Sequence, residues 1–485
     1  MTPLHSTEEP TVSSPHEPDD RHRPRYHFTP PRNWMNDPNG LIQWQGTYHL
    51  FYQHNPFGAL WGNMHWGHAI SRDLVQWEHL PIALAPDNDG ADDGGCFSGV
   101  AFDADGTPTI IYTGVRKPDH EPQRPCLATS DDPLLRTWTK FSGNPVIPDP
   151  PDGIDAVIFR DHTVWREDGF WYQGIGSGIA GEGGTVLVYR SADLLTWEYL
   201  HPLVVGDATQ TDPFPTGTGW ECPDFFRIDG RAGLVFASHG PGGLNVAWLT
   251  GEYIDQRLVP AATGLVDAGP SFYAPQSFTD DSGRRVMFGW LRERRADDAQ
   301  VADGWSGAMT LPRILSISED GTLLSSPAPE VESLRGSHTH VQRAEVAADG
   351  SVPSISGDTV ELLARFAAGA KPVGLIVRHD PETGEHVRVT VDRATGTLVL
   401  DTIGASRDPD ARGMSTVERV SLAGDEPVTL RVFIDRSVVE VYLNDRIAVS
   451  DRVYPLSRHA MCIAVIEPDH LKSLDVWEMG PCIVN

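Results

Sequence analysis

A turn followed by a strand-like run recurs five times along the chain, and this repeat restricts the fold more than any other feature. The runs are "QGTYHLFYQ", "DGTPTIIYTG", "DGFWYQGIG", "DGRAGLVFASHG" and "SGRRVMFGWL", with turn glycines Gly46, Gly106, Gly169, Gly230 and Gly283. Successive glycines are 60, 63, 61 and 53 residues apart. Each turn is preceded by another short run of β-prone residues, so every unit is predicted to contain a hairpin.

A second repeat lies between the hairpins. The segments "SRDLVQWEHL", "SDDPLLRTWTKF" and "SADLLTWEYL" start at Ser71, Ser130 and Ser191, and share the order Ser, Asp, Leu, Trp, as if one structural corner were reused. Five units of about four short strands, with no long amphipathic helix between them, are typical of a β-propeller. We therefore predict an all-β protein with a five-bladed β-propeller over residues 26–320. The alternative is a β-sandwich with accidental spacing.

The regions outside the repeat have a different composition. "SSPAPEVESLRGSH" indicates a linker, placed at residues 321–344, and the alternating strands that follow predict a β-sandwich over residues 345–485. Residues 1–25 are rich in Pro, Glu, Asp and His and are predicted to form a disordered tail. Because this segment lacks the apolar stretch of a signal peptide, we expect a cytoplasmic protein, or a secreted one if an export signal has been removed.

The charge of the chain restricts its partners. With 38 basic and 67 acidic residues the net charge is −29, so the surface should repel nucleic acid and anionic membranes and favour a neutral substrate. The five cysteines form no C-x-x-C pair and are odd in number, which predicts free thiols. His65 and His68 would point to opposite faces of a strand. We expect neither a metal site nor a cofactor.

Three acidic residues occupy corresponding places in the repeat. Asp37, Asp161 and Glu221 lie 9, 8 and 9 residues before the turn glycines of their units. In the other two units, Ser98 and Ala274 take this place. If the run ahead of each hairpin is the innermost strand of its blade, the three carboxylates meet at one mouth of the central channel.

Carboxylates that converge in a pocket suit glycoside hydrolysis. One acid attacks or stabilises the anomeric carbon, and another protonates the leaving oxygen. Crowding should raise the pKa of one carboxyl group, so that it can act as an acid near neutral pH. Flat apolar faces for sugar rings could come from the aromatic residues near these motifs: Trp34, Phe51, Trp61, Phe97, Tyr273 and Trp290.

With these motifs, the chain resembles glycoside hydrolase family 32, the β-fructofuranosidases, over residues 26–485. The matching segments include "NWMNDPNG", "WGNMHWGHA", "FRD", "ECPDFF", "FYAPQSF" and "FIDRSVVEVYLND". The resemblance implies a propeller followed by a sandwich, and retaining hydrolysis of terminal β-D-fructofuranosyl units of sucrose, levan or inulin by double displacement. A fructosyltransferase acting on fructan, including one that forms a cyclic difructose anhydride, and a non-catalytic fructan-binding propeller are the alternatives.

The resemblance also implies individual roles. Asp37 would be the nucleophile, Glu221 the general acid/base and Asp161 a stabiliser of the transition state. The residues expected to enclose the fructosyl ring, with the last near the rim, are Asn36, Gln53, Trp61, Phe97, Ser98, Arg160, Tyr273 and Trp290. One departure is His162, which follows Asp161 where the family has proline. The backbone there loses the constraint of proline, and His162 is expected to add a hydrogen-bond donor or to shift a pKa.

Overall fold

The computed structural model describes residues 20–240, 243–411 and 413–483, and the first part of the described chain forms five sheets. The first blade consists of β1 (Asn33–Trp44), β2 (Thr47–Asn55), β3 (His65–Ser71) and β4 (Trp77–Leu84). The second consists of β5 (Gly95–Ala104), β6 (Thr107–Val115), β7 (Gln123–Thr129) and β8 (Thr139–Lys140). The third consists of β9 (Ala156–Glu167), β10 (Phe170–Ile179), β11 (Gly183–Ser191) and β12 (Glu198–Val205).

The fourth and fifth blades follow in the same order. The fourth consists of β13 (Gly219–Ile228), β14 (Arg231–His239), β15 (Val246–Ile254) and β16 (Arg257–Leu265). The fifth starts with β17 (Phe272–Thr279) and β18 (Arg285–Leu291), which are followed by helix α1 (Asp297–Asp303) and β19 (Trp305–Ser306). It ends with β20 (Ala308–Met309), β21 (Arg313–Ile317) and β22 (Leu323–Pro327). Strand β19 pairs in parallel with β1 of the first blade.

The first strand of each blade faces the centre of a ring. The contacts between blades run from β1 to β5, from β5 to β9, from β9 to β13, from β13 to β17, and from β17 back to β1. This cyclic order makes the domain a five-bladed propeller, as the repeat predicted. Closure of the ring leaves few strand edges exposed.

The turn residues explain why the hairpins form where they do. In the first blade, both central residues of the turn have positive φ, 50° for Gln45 and 75° for Gly46. The second, third and fourth blades have an Asp-Gly pair with the same feature. Positive φ at both positions defines the type I′ turn, whose twist matches that of two antiparallel strands, and glycine adopts it without steric cost.

The Ser-Asp-Leu-Trp segments form one corner in three blades. In the first, the Asp73 carboxylate accepts hydrogen bonds from the backbone N–H groups of Val75 (3.1 Å) and Gln76 (2.8 Å), and the Trp77 indole donates to the Leu74 carbonyl (3.1 Å). In the corners that follow Ser130 and Ser191, an aspartate likewise accepts hydrogen bonds from backbone N–H groups, and an indole donates to a leucine carbonyl. The local sequence therefore specifies the connection between the third and fourth strands.

The second domain is a sandwich of two six-stranded sheets. One sheet has the order β23 (Arg335–Val341), β34 (Leu471–Met479), β25 (Thr359–Phe366), β30 (Val428–Asp435), β31 (Val438–Leu443) and β32 (Ile447–Arg452). The other has the order β24 (Ser351–Ser356), β33 (Cys462–Ile466), β26 (Val373–His379), β27 (Val387–Asp392), β28 (Thr397–Asp401) and β29 (Ser415–Arg419). Valine, leucine and isoleucine side chains from both sheets form one buried core. No helix of the described ranges is long and apolar enough to cross a membrane.

Short 3-10 helices complete the described chain. They span Asp20–His22, Pro329–Leu334, Arg343–Glu345, Ile403–Ala405, Pro409–Ala411 and Pro468–His470.

Two segments differ from the sequence predictions. The predicted linker 321–344 contains the last strand of the fifth blade, β22, which pairs with the preceding strand β21. It also contains the first strand of the sandwich, β23, which pairs with β34 far away in the sequence. The predicted tail is described only from Asp20, since residues 1–19 lie outside the described part. The last residues of the predicted tail, from Asp20 onwards, lie against the sandwich, where the Arg436 side chain donates to the Asp20 carbonyl (2.8 Å).

A buried charge network joins the domains. The fully buried guanidinium of Arg313, in the fifth blade, donates to Asp267 (2.9 Å) and to Glu440 of the sandwich (2.7 Å). Glu440 also contacts the imidazole of His27 (3.1 Å). Because each buried charge has an opposite partner and hydrogen bonds, the network fixes the position of the sandwich on the propeller without leaving an isolated charge.

Candidate active site

All five inner strands have a β-bulge at the same level of the ring. The extra residue is Ser98 in the second blade and Asp161 in the third. In the first blade, Asn36 and Asp37 together face one residue of the neighbouring strand. Residues 222–223 and 274–275 do the same in the fourth and fifth blades. A bulge interrupts the alternation of side chains, so neighbouring residues can both point towards the mouth of the channel.

The bulges correct one detail of the sequence alignment. Asp161, Cys222 and Ala274 share a positive φ, of 61°, 47° and 46°, and are therefore the equivalent positions. Glu221 lies one residue before this position and therefore corresponds to Arg160 of the third blade. The prediction that Glu221 is equivalent to Asp161 is wrong by one residue. The number of residues between each acid and its turn glycine gave the wrong equivalence, because this spacing does not reveal where a bulge inserts a residue.

The bulged strands surround a cavity of about 380 Å³, a volume suited to a small ligand. All residues to which the resemblance gives a role lie on its wall: Asn36, Asp37, Gln53, Trp61, Phe97, Ser98, Arg160, Asp161, Glu221, Tyr273 and Trp290. Two of the aromatic residues expected to offer faces to sugar rings, Trp34 and Phe51, do not line it, and Phe51 is fully buried. Four further residues line it: Met64, His120, Gln123 and Cys222. Trp61 is the most open of the aromatic residues here, with half of its surface exposed.

Asp37 and Asp161 lie side by side at the base of the cavity. The Asp37 carboxylate accepts hydrogen bonds from the Ser98 hydroxyl (2.6 Å) and the Asn36 amide (2.9 Å), which orient both of its oxygens. The Cys222 N–H donates to Asp161 Oδ2 (2.8 Å). The Cys222 thiol lies 3.6 Å from Asp37 Oδ2 and 3.4 Å from Asp161 Oδ2, so both carboxylates contact the same sulfur atom.

Glu221 is held by a separate pair of residues. The Arg160 guanidinium donates to Oε1 of Glu221, and the Tyr273 hydroxyl donates to Oε2 (2.5 Å). Tyr273 also contacts the Ser238 carbonyl (3.2 Å). Arg160 reaches beyond Glu221 to the Gln123 side chain (3.1 Å). The glutamate is thereby fixed between the third and fifth blades.

The carboxyl groups differ in pKa. Burial, with the negative charges of Glu221 and Asp37, raises the pKa of Asp161 to about 7 despite the opposing charge of Arg160. Burial also raises the pKa of Asp37, although hydrogen bonds from Ser98 and Asn36 oppose the shift. Burial acts in the same direction on Glu221, but the charge of Arg160 and the hydrogen bonds from Tyr273 and Arg160 outweigh it and lower its pKa.

The carboxyl group that holds a proton near neutral pH is therefore Asp161 and not Glu221. Burial, more than the crowding that the sequence suggested, raises the pKa values of the aspartates, and the contact with Arg160 lowers that of Glu221. Groups this close titrate as a coupled set, and a proton can be redistributed when a ligand changes one of the contacts.

Replacing Tyr273 with phenylalanine tests this electrostatic arrangement. The variant lacks the hydroxyl that stabilises ionised Glu221, so the pKa of Glu221 should rise while the ring keeps its position beside Arg292. If Glu221 acts as the proton donor, the alkaline limb of the pH profile of kcat/KM should move to higher pH. Tyr199→Phe, on an outer strand, should leave the profile unchanged, and an unmoved alkaline limb in Tyr273→Phe would contradict the assignment.

His162 joins the third blade to the second beneath the carboxylates. Its Nδ1 lies 2.9 Å from the Gln173 amide and its Nε2 3.1 Å from the Thr113 hydroxyl. The same hydroxyl accepts from the Asp161 N–H (2.9 Å) and lies 3.2 Å from the Ser98 carbonyl. The imidazole with a proton on Nε2 satisfies the whole chain, because Thr113 then accepts twice and donates to Ser98.

Burial lowers the pKa of His162 from 6.5 to about 3, so this residue is neutral in the folded protein. The unfolded chain takes up a proton below pH 6.5 and the folded chain does not, so its contribution to stability falls as the pH falls. Between pH 7.5 and 5 this loss is about 2 kcal/mol. In urea titrations, lowering the pH from 7.5 to 5 should therefore reduce the free energy of unfolding of His162→Gln by about 2 kcal/mol less than that of the wild type.

The exposed His459 provides a matched control for this experiment. His459→Gln should show the pH dependence of the wild type, since this side chain is exposed on the surface and takes no part in the buried contacts of His162. If the free energy of unfolding fell equally with pH in the wild type and in His162→Gln, the fold would not be holding His162 neutral.

The sequence missed four residues on the cavity wall for two reasons. Cys222 lies 8 residues before its turn glycine, at the spacing of Asp161, so the repeat contains a signal for this position even though the residue is not an acid. His120 and Gln123 lie outside the inner strands, in or just after a loop whose path depends on tertiary contacts. Met64 lies in the loop before β3 and carries no recognisable pattern.

The fold and this cavity together define a class of protein. Carboxylates on different blades, an arginine and a tyrosine around one of them, and aromatic walls are suited to glycoside hydrolysis. Residues 27–327 match the glycosyl hydrolases family 32 N-terminal domain, and residues 330–478 match the family 32 C-terminal domain. The chain belongs to glycosyl hydrolase family 32, and it is a glycoside hydrolase of the β-fructofuranosidase type.

Individual relatives match nearly the whole chain. The sequence is 36% identical over 452 residues to sucrose-6-phosphate hydrolase of Escherichia coli, with 89% of each chain covered. It is 37% identical over 461 residues to raffinose invertase of Escherichia coli, again with 89% of each chain covered. A structure of a variant of fructan 1-exohydrolase IIa from Cichorium intybus in complex with 1-kestose has a TM-score of 0.84 at 27% identity, covering 96% of this chain and 99% of that chain.

Proposed function

We propose that the protein removes terminal β-D-fructofuranosyl units from sucrose and fructans, by a double displacement that retains the configuration of the anomeric carbon. The observation that carries the proposal is the arrangement of the carboxylates. Asp37 and Asp161 contact one thiol at the base of the cavity, and Glu221 is fixed separately by Arg160 and Tyr273. The relatives named for sucrose 6-phosphate, raffinose and fructan support a fructosyl substrate.

In the first step, Asp37 attacks the anomeric carbon C2 of the fructosyl unit. The Ser98 and Asn36 hydrogen bonds orient its carboxylate for this attack. The bond from C2 to the glycosidic oxygen breaks, and Glu221 donates a proton to that oxygen. The products of this step are a free leaving sugar and a fructosyl ester of Asp37.

In the second step, Glu221 accepts a proton from water, the water oxygen bonds to C2 and the ester breaks. Fructose is released and Asp37 is again a carboxylate. Asp161 is proposed to accept hydrogen bonds from fructose hydroxyls, which strengthen as positive charge develops on the sugar.

Glu221 requires a proton before the first step, and its contact with Arg160 opposes this. We propose that substrate hydroxyls compete for Arg160 when they enter the cavity. Weakening of that contact would raise the pKa of Glu221 towards the pKa values of the neighbouring aspartates. A proton already shared in the coupled set could then reside on Glu221.

A substrate panel tests the proposal. Purified protein is incubated with sucrose, raffinose, 1-kestose, inulin and levan, and free fructose is measured together with the oligosaccharide products. Release of fructose as the main product is the expected result. Longer oligomers or a non-reducing difructose anhydride as the main product would instead assign a fructosyltransferase.

The panel also separates catalysis from binding. Asp37→Asn serves as the matched control because it preserves the size of the side chain. If wild type and Asp37→Asn released no fructose from any member of the panel and still bound fructan, the protein would be a fructan-binding propeller.

A further inference from the structure

The loop formed by residues 116–122, which joins β6 to β7, lies beside Glu221 at the rim of the cavity. Gln123, just after the loop, accepts a hydrogen bond from the guanidinium of Arg160 (3.1 Å), and the same guanidinium contacts Glu221. A general acid lies next to the oxygen that it protonates, so the leaving group departs on the side of the acid. The loop is therefore next to the space that the leaving sugar must occupy.

His120 is the residue of this loop that lines the cavity. Its ring centroid lies 5.3 Å from Trp61 and 5.6 Å from Phe97, at interplanar angles of 72° and 32°. Its φ is 59°, a left-handed conformation that side chains other than glycine seldom adopt. Aromatic contacts and the backbone together hold the imidazole at the mouth of the cavity.

The imidazole of His120 has hydrogen-bonding capacity that no residue in the described ranges uses. Within the described residues, neither of its ring nitrogens has a hydrogen-bond partner, in contrast to the buried His162, whose nitrogens both have one. A neutral imidazole presents one donor and one acceptor, and a sugar hydroxyl can be the partner of either.

We propose that His120 is a specificity-determining residue that hydrogen-bonds a hydroxyl group of the leaving sugar. This inference rests on the proposed function, because it concerns the same cavity. The ligand class is a glucosyl or fructosyl residue attached through oxygen to the terminal fructosyl unit. His120 thus favours leaving groups with hydroxyls over leaving groups of similar size without them.

The test compares two leaving groups in one pair of proteins. His120→Phe keeps an aromatic ring against Trp61 and Phe97 and removes both nitrogens. Sucrose has a leaving group rich in hydroxyls, and p-nitrophenyl β-D-fructofuranoside has an aryl leaving group with none. We expect kcat/KM for sucrose to fall about 3- to 10-fold in His120→Phe, the effect of one lost hydrogen bond, and kcat/KM for the aryl substrate to change less than about twofold.

Two further variants complete the design. His120→Gln retains a donor and an acceptor and should recover part of the activity on sucrose. Asp119→Asn changes the neighbouring exposed residue of the same loop and should leave both substrates unaffected.

The outcomes separate this inference from the function on which it rests. Equal losses on the two substrates, or no loss on either, would overturn the role of His120 while leaving the hydrolysis of sucrose by the wild type intact. If the wild type released no fructose from any member of the substrate panel, the proposed function would fail, and the role of His120 would fail with it.

Discussion

Replacing Asp37 with asparagine is expected to lower kcat/KM for sucrose by about 10⁴-fold or more, as removal of an attacking group does in other enzymes. An amide in this position cannot form the fructosyl ester at a useful rate. It can still accept the Ser98 hydrogen bond and fill the same space, so the fold should persist. The measurement is the initial rate of fructose release, with circular dichroism to verify the fold.

The stability of Asp37→Asn gives a second test of the same residue. Burial raises the pKa of Asp37, which means that its negative charge at neutral pH destabilises the folded state. The neutral amide removes this cost, so Tm at pH 7 should be equal to or higher than that of the wild type. Asp281→Asn, at the exposed turn of the fifth blade, should leave activity and Tm unchanged. A variant Asp37→Asn that retained a tenth of the wild-type activity would rule out Asp37 as the nucleophile.

Replacing Glu221 with alanine should affect substrates according to their leaving groups. On sucrose, loss of the proton donor is expected to lower kcat by about 10²- to 10⁴-fold. The p-nitrophenolate of an aryl fructofuranoside leaves without protonation, so formation of the ester should be impaired far less. The second step still lacks its base, so the ester should accumulate and appear as a burst of nitrophenol at the start of the reaction.

Added azide provides the decisive control for Glu221→Ala. Azide is a nucleophile that needs no general base, and it can enter the space left by the glutamate side chain. It should restore turnover of the aryl substrate and yield β-fructosyl azide, whereas the wild type should not respond. Equal losses on both substrates, with no effect of azide, would show that Glu221 is not the acid/base.

The fold was predictable because its determinants are local. The Gln45-Gly46 turn and the Asp-Gly turns specify hairpins through their backbone angles alone, and the Ser-Asp-Leu-Trp corners through hydrogen bonds within a few residues. The regular spacing of these turns and corners along the chain then indicates five similar units. The beginning of the sandwich was less predictable, since β23 is a strand only because β34, more than 130 residues later, pairs with it.

The site was predictable as far as the inner strands reach. Asp37, Asp161 and Glu221 were found because the repeat places them near one another, yet the offset of Glu221 depends on bulges that have no sequence signature. The pKa order of the three carboxyl groups could not be read from the sequence either. It depends on the contact between Arg160 and Glu221, which joins the third and fourth blades. His120 depends in the same way on packing against Trp61 and Phe97.

The configuration of a trapped product is the most direct test of the central claim, a double displacement through Asp37. Free fructose changes its anomeric form rapidly in water, but a methyl glycoside does not. Sucrose is therefore incubated with the wild type in a mixture of water and methanol, and the methyl fructofuranoside is identified by ¹³C NMR at C2. Two displacements predict methyl β-D-fructofuranoside, and methyl α-D-fructofuranoside as the product would contradict the account.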